Sequence, residues 1–257
     1  MQYNFDRVAD RYDATRGLPP GVAERICRWV LSRLPADPAV AEVGVGTGRI
    51  AIPFIQQGVR FTGFDISEQM LSRLTEKLSG DLCRARLLLA DITHELPVPE
   101  HSQHCVIGVH IFHLVDTVAA MQQIRRILAP HGALVWGYNM YDEFAPHGRM
   151  GPKYHQFSQA LGGPGKRDYR KQEARDLLHQ WGARVTQHVV TAWTETETPA
   201  GALERIRTRV MSSTWDVPDA IHEVAVRQTE AWVRAEYGDL QRPYEYDVRF
   251  MTDWYQF

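Results

Sequence analysis

Cysteine is scarce in this sequence: Cys27, Cys83 and Cys105 stand far apart, are odd in number and form no Cys-x-x-Cys pair. Neither a disulfide scaffold nor a zinc knuckle is indicated, and the three read as small buried hydrophobes. Long apolar runs are missing as well. No stretch reaches the roughly 18 apolar residues of a membrane span, and Met1 to Arg16 lacks the apolar core of a signal peptide. The expectation is a cytoplasmic protein with no membrane partner. Charge of one sign is not in surplus either: 29 Lys and Arg stand against 31 Asp and Glu, and the formal net charge is -2. Neutralising a nucleic-acid backbone needs a concentrated cationic surface. No nucleic-acid partner is expected, and a small molecule is favoured.

What remains is an ordinary globular composition, with 44% hydrophobic and 23% charged residues over 257 positions. That is enough for one α/β core with additions. From about residue 39, short apolar runs alternate with amphipathic stretches, which is how a parallel sheet flanked by helices reads. Strands are expected at Ala39 to Val43, Arg60 to Asp65, Ala85 to Ala90, Cys105 to Val109, Ala133 to Tyr138, Ala183 to Trp193 and Tyr244 to Tyr255. The Leu87-Leu88-Leu89 run suggests a strand buried on both faces. Helices are expected from about Thr47 to Gln57, from Ser67 towards Gly80, after Asp116 or Thr117, and from about Asp168 to Trp181. Residues 139 to 167 read as a Gly-, Pro- and Tyr-rich connection. Two further helices, Ala200 to Met211 and Pro218 to Tyr237, interrupt the alternation before the last strand, as a lid or substrate wall would.

The first strand runs into Glu42-Val43-Gly44-Val45-Gly46-Thr47-Gly48. Glycines there let a ligand approach backbone N–H groups at the start of a helix. The dinucleotide fingerprint Gly-x-Gly-x-x-Gly is not met, because the third glycine arrives one residue early and Arg49 stands where it belongs. Glu42 would repel a pyrophosphate and welcome an ammonium. Asp65 ends the second strand, where a carboxylate accepts from ribose hydroxyls, and Asp91 ends the third, where an adenine amino group can donate to it, with Ile92 flanking the base.

These residues, with Gly-Phe-Asp-Ile-Ser at 63 to 67 followed by Met70-Leu71, Leu-Ala-Asp-Ile at 89 to 92 and Leu-Ala-Pro-His-Gly-Ala at 128 to 133, resemble the class I S-adenosylmethionine-dependent methyltransferases. The methyltransferase-11 or menaquinone-methyltransferase-like branch is the nearest in pattern. The resemblance covers roughly residues 1 to 140. It implies a Rossmann-like seven-stranded, mostly parallel sheet in the order 3-2-1-4-5-7-6, its seventh strand antiparallel, with a helical lid inserted before the last strand. It also implies S-adenosylmethionine as cofactor and S-adenosylhomocysteine as product. By the same resemblance Gly44 and Gly46 approach the methionine moiety and Glu42 assists its amino group. Asp65 takes the ribose, Asp91 and Ile92 the adenine, and Ile66 and Met70 join the cofactor site. His110 lies next to the transferred methyl. Tyr12-Asp13-Ala14-Thr15-Arg16 is similar to the family's cofactor-covering segment, which makes Tyr12 and Arg16 cofactor candidates, Arg16 for the methionine carboxylate.

One domain over 1–257 is expected: 1–38 as cofactor-covering helices, 39–140 as the cofactor half, and 141–257 as the substrate half with a cap at about 199–238. After the fourth strand the chain reads Val-His-Ile-Phe-His-Leu and lacks the Asn/Asp-Pro-Pro-Tyr/Phe of enzymes that methylate nucleic-acid amines. The acceptor is therefore expected to be a small molecule methylated on O, N or C. His110 and His113 are the candidate general bases; a metal pair would need more ligands than are visible, so no metal is expected. Tyr141, His147, Tyr154, His155 and Trp215 can line an acceptor pocket or simply pack. The protein is expected to act as a monomer or homodimer. An NAD(P)-dependent oxidoreductase and a non-catalytic cofactor-binding module are the alternatives.

Overall fold

The computed structural model describes residues 17–78, 84–165 and 170–257. Tyr12, Arg16, Gly80 and Cys83 lie outside them. Seven strands form one sheet in the order β3-β2-β1-β4-β5-β7-β6, as expected. They are β1 (Ala39–Val43), β2 (Arg60–Asp65), β3 (Ala85–Leu89), β4 (Gln103–Val109), β5 (Leu128–Tyr141), β6 (Arg184–Glu197) and β7 (Tyr244–Gln256). The ladders β1–β2, β1–β4, β2–β3 and β4–β5 are parallel.

The helices are α1 (Val22–Leu31), α2 (Ala51–Gln56), α3 (Glu68–Lys77), α4 (Thr117–Ile127), α5 (Pro146–Ala160), α6 (Lys171–Gln180), α7 (Pro199–Arg207) and α8 (Asp219–Tyr237). Caps stand where the sequence puts them. Ser67 Oγ accepts from Met70 N at 3.1 Å, and Asp116 Oδ1 accepts from Ala119 N at 3.1 Å, so each satisfies an N–H that the first turn leaves over. Gly238, at φ 65, ends α8.

Three expectations need correcting. Helix α2 starts at Ala51, not Thr47, because Gly46 and Gly48 hold left-handed φ values that a helix cannot propagate through. At six residues it is too short for its dipole to anchor a ligand. Strand β3 is not buried on both faces: it is the sheet's edge strand, and Leu89 is 59% exposed. The 139–167 connection holds a 15-residue helix, α5, whose buried Met150, Tyr154 and Ser158 recur at helical spacing. Gly148, Gly151 and Pro152 mask that period in the sequence.

The chain divides into two compact units. The first comprises the chain up to Tyr138, α6 with β6 as far as Thr191, and Phe250–Phe257. Its core includes Val43, Phe64, Val106, Phe112, Ile124, Leu134 and Trp136, drawn from β1, β2, β4, the turn after β4, α4 and β5. The five residues of β1 are all buried, as a strand covered on both faces requires. The second unit comprises the 139 segment through α5, and Ala192–Arg249. There α5, α7 and α8 pack on one another through Met150, Tyr154, Leu203, Ile206, Ala225 and Val233. Strands β5, β6 and β7 contribute residues to both units. Cys27 and Cys105 are buried thiols, and burial pushes the Cys27 thiol up to about 12, where it is inert.

Candidate active site

Within the first unit, the carboxyl ends of β1, β2 and β4 gather the candidate residues. The chain leaves β1 through Gly44, Gly46 and Gly48, all at positive φ (69, 54 and 86). Their surroundings differ. A Cβ on Gly44 would strike Ile111 Cδ1 at 2.8 Å and one on Gly48 would strike Leu74 Cδ1 at 2.2 Å, whereas one on Gly46 would meet nothing within 4 Å. Gly44 and Gly48 are thus required by packing. Gly46 is the position where the backbone lies open, a cradle that a side chain would fill.

Asp65 fixes that cradle. Its Oδ2 accepts from Gly46 N at 2.7 Å and its Oδ1 from Ser67 N at 2.9 Å, while Lys77 Nζ, one helix further on, donates to Thr47 O at 2.9 Å. A carboxylate offers about four acceptor positions, so these two bonds are compatible with taking ribose hydroxyls as well. Ile66, next to Asp65, is 37% exposed.

Glu42 is 3% exposed on β1, between Gly63 of β2 and Ile107 of β4. Its Oε2 is buried and has no hydrogen-bond partner among the described residues. Desolvation drives its carboxyl well above the ordinary range, with Asp65 adding to the rise and Arg49 opposing it. A buried acceptor without a donor is costly, and an ammonium group of a bound ligand is the partner its chemistry calls for.

Asp91 follows β3 and is collared by its own turn: Oδ1 accepts from Thr93 N at 2.9 Å and Thr93 Oγ1 at 2.8 Å, and Oδ2 lies 2.9 Å from His94 Nδ1. Ile92 and Met70, expected at the cofactor, are 5% and 2% exposed. Ile92 packs in the core cluster, and Met70 points inward from the first turn of α3. Both side chains are buried, and of the three apolar candidates Ile66 is the exposed one.

His110 directly follows β4 at φ 54, its N donating to Gly137 O at 3.2 Å. His113 sits in the next turn, closed by Leu114 N to Ile111 O at 2.9 Å. The pair is therefore not on a helical face, and among the described residues no cluster of three metal-ligating side chains occurs. Lys77, Ile111, Thr93 and His94 were missed from sequence. Only Thr93 has a local signal, the Asp-x-Thr pattern of an Asx turn.

Residues 40–132, which hold β1 from Val40 on, the glycine turn, Asp65, Asp91 and both candidate histidines, match the family model described as a methyltransferase domain. An uncharacterized methyltransferase of Mycobacterium tuberculosis is 26% identical over 209 residues, covering 81% of this chain and 77% of its own. The chain belongs to the class I S-adenosylmethionine-dependent methyltransferases. S-adenosylmethionine is accordingly its cofactor, and the residues fit it: Glu42 leaves a buried acceptor for an ammonium and Gly46 an open backbone. The YcgJ protein of Bacillus subtilis shares the methyltransferase fold at a TM-score of 0.59, with 12% identity over 91% of this chain and 97% of that one. A malonyl-[acyl-carrier protein] O-methyltransferase of Halorhodospira halophila is 27% identical over 139 residues, 53% of this methyltransferase and 46% of the relative.

The second unit brings together residues that the sequence scatters. His147 Nδ1 lies 2.8 Å from Glu197 Oε2, and Arg205 Nη2 2.6 Å from Glu197 Oε1. Tyr141 stands edge-on to the His147 ring with centroids 4.5 Å apart, and Tyr246 is 5.5 Å away. Tyr246 OH and Trp193 Nε1 both donate to Glu195. The other candidates have structural partners. Tyr154 OH is 2.6 Å from His222 Nδ1 in the helical core, His155 lies beside the Tyr154 ring, and Trp215 Nε1 donates to Arg209 O at 2.7 Å.

Proposed function

We propose that this methyltransferase transfers the S-methyl group to an oxygen, nitrogen or carbon atom of a small-molecule acceptor, releasing S-adenosylhomocysteine. The observation that carries the cofactor half of this reading is the partnerless buried Oε2 of Glu42 beside the open backbone of Gly46. In this reading Glu42 accepts from the amino group, Gly44 and Gly46 admit the methionine moiety, Asp65 accepts from the ribose, and Asp91 from the adenine amino group, with Ile66 against the base. Ile92 and Met70 act from behind, holding the strand end and α3 in place. Tyr12 and Arg16 keep the covering role that their motif implies.

When bound, the cofactor supplies a methyl group already activated by its sulfonium. The chain's task is then alignment, exclusion of water and, for an acidic acceptor, removal of a proton. His110 and His113 are the candidates for that proton in the first unit, and the second unit is our candidate for acceptor recognition, with α7 and α8 as its cap. The named activity of the Halorhodospira relative supports oxygen among the acceptor atoms. The net charge of -2 supports a partner other than nucleic acid. Among the described residues no helix is long and apolar enough to cross a membrane.

A panel of small acids, phenols and amines assayed for S-adenosylhomocysteine release tests the acceptor half. Calorimetry tests the cofactor half. Binding of S-adenosylhomocysteine without competition from NAD or NADP is expected, because Arg49 stands where the dinucleotide fingerprint needs its third glycine. Tight NAD binding in its place would return the protein to the oxidoreductases. Cofactor binding with no turnover on any acceptor would leave a non-catalytic module.

A further inference from the structure

We propose that His147, held by Glu197, is a proton acceptor for a weakly acidic hydroxyl compound, a phenol or enol, bound in the second unit. The proposal deepens the reading above by naming the acceptor class, and it rests on that reading for its link to methyl transfer. Its own basis is the geometry of the His147 ring.

Glu197 is tied down on both oxygens. Oε1 takes Arg205 Nη2 at 2.6 Å, and Oε2 takes His147 Nδ1 at 2.8 Å and His147 N at 3.2 Å. An ionised carboxylate only accepts, so Nδ1 must carry its hydrogen and Nε2 is left with a lone pair in the neutral ring. Nδ1 is thereby committed, and among the described residues Nε2 has no hydrogen-bond or ion-pair partner. The side chain is 12% exposed and that of Glu197 10%. A structural staple between α5 and β6 would need only the Nδ1 contact. A basic nitrogen kept partnerless between Tyr141 and Tyr246 is the arrangement of a poised base.

The surroundings specify the ligand. Tyr141 and Gly148, which flank the imidazole in space and in sequence, both line a cavity of about 710 Å³ whose other walls include Met140 and Phe144, with Arg149 at its polar side. Met140, Tyr141 and Phe144 are 42%, 40% and 61% exposed. Met140, Tyr141 and Phe144 give this cavity an apolar and aromatic wall beside the charged Glu143 and Arg149, and the His147 ring adjoins it at Tyr141, an arrangement that suits a planar, weakly acidic hydroxyl. Asp142, which also lines the cavity, is occupied with Phe144 N and Asp247 N. Glu143 lines the cavity as well, and Glu195 accepts from Tyr246 and Trp193. In the step, the ligand's O–H bond breaks with its electron pair left on oxygen, and the proton forms a new N–H bond at Nε2. The imidazolium charge is then offset by Glu197, which itself stays ionised on Arg205.

4-Nitrophenol is the probe, because its anion absorbs in the visible range. Titrated with full-length protein in mildly acid buffer, where free 4-nitrophenol is largely protonated, it is expected to bind and to gain the absorbance of the anion. His147→Asn should abolish the gain and weaken binding about tenfold, the loss of one charge-assisted hydrogen bond. Glu197→Gln, nearly isosteric, should retain binding but lose most of the anion signal. Calorimetry with S-adenosylhomocysteine on the same samples checks that each variant is folded and reports separately on the methyltransferase reading. Absence of the anion signal from wild-type protein that binds S-adenosylhomocysteine, or its persistence in His147→Asn, overturns the proposal and leaves the methyltransferase reading standing.

Discussion

The N–H of Gly46 donates to Oδ2 of Asp65 at 2.7 Å, so the loop expected at the methionine end of the cofactor and the carboxylate expected at its ribose are one hydrogen-bonded unit. Removing the carboxylate as Asp65→Ala loses both a ligand acceptor and the anchor of the glycine turn. Affinity for S-adenosylhomocysteine should fall by about 1–3 kcal/mol. Asp65→Asn should fall between, since an amide has only one accepting atom for two N–H groups. Calorimetry on the two variants checks the order, and an unchanged dissociation constant in Asp65→Ala would dissociate Asp65 from the cofactor.

Gly46→Ala and Gly48→Ala should fail in different ways. Both carry left-handed backbone that costs an L-residue roughly 1–2 kcal/mol. At Gly48 the added carbon would lie 2.2 Å from the Cδ1 of Leu74, which is fully buried and has nowhere to move, so overpacking adds about 1–3 kcal/mol to the loss of stability. At Gly46 there is space, and the larger penalty should be in cofactor affinity. Paired melting and binding curves separate the two. Equal loss of affinity per unit of lost stability would deny Gly46 its place at the ligand.

Burial raises the Glu42 carboxyl pKa well above the ordinary carboxylate range. For a group whose folded pKa is raised, the stability it lends is complete below the unfolded value and is lost as pH rises through the folded one. The cofactor-free protein should therefore lose stability from mildly acid pH upward, and Glu42→Gln should flatten that slope while weakening S-adenosylmethionine. Thermal melts of both proteins across that range give the answer. A steeper slope in Glu42→Gln would contradict the assignment.

In the helical core, burial lowers the His222 pKa below 6.5. His222 Nε2 lies 3.2 Å from Arg207 O and Nδ1 2.6 Å from Tyr154 OH. The ring therefore donates to the carbonyl and accepts from the phenol, in its neutral form. Stability is complete above the ordinary histidine range and falls as pH drops through the lowered value. Tyr154→Phe should cost about 1–3 kcal/mol at neutral pH by orphaning Nδ1, measured by denaturant titration.

His110 holds φ 54 at the end of β4, so its backbone and its imidazole must be tested apart. Asparagine tolerates that conformation and alanine does not. If the imidazole serves as base, His110→Asn should lower turnover roughly 10²–10⁴-fold with cofactor binding retained. Normal turnover in His110→Asn with a defect in His110→Ala alone would make His110 a backbone device.

Much of the cofactor half was legible because its determinants are local. The glycine spacing in 44–48, the acidic Glu42 two residues ahead, Ser67 and Asp116 as caps, and Asp65 at a strand end all act within a few residues of themselves, where spacing carries geometry. Helix α5 was not legible, because Gly148, Gly151 and Pro152 lower helix propensity over a stretch whose helix depends on burying Met150 and Tyr154 against α7 and α8.

By itself, then, the sequence determined the α/β alternation and the cradle, since alternation of buried strands and the conformational demands of glycine are written residue by residue; the cofactor followed from the resemblance of its motifs to a family. Only the tertiary structure decided which candidate side chains are buried and which are exposed. It turned Ile92 and Met70 into the core and left Ile66 open, brought Lys77 across 30 residues to Thr47, and brought Glu197 across 50 to His147. Such contacts are set by how elements pack after the chain has folded back on itself, and no local period records them.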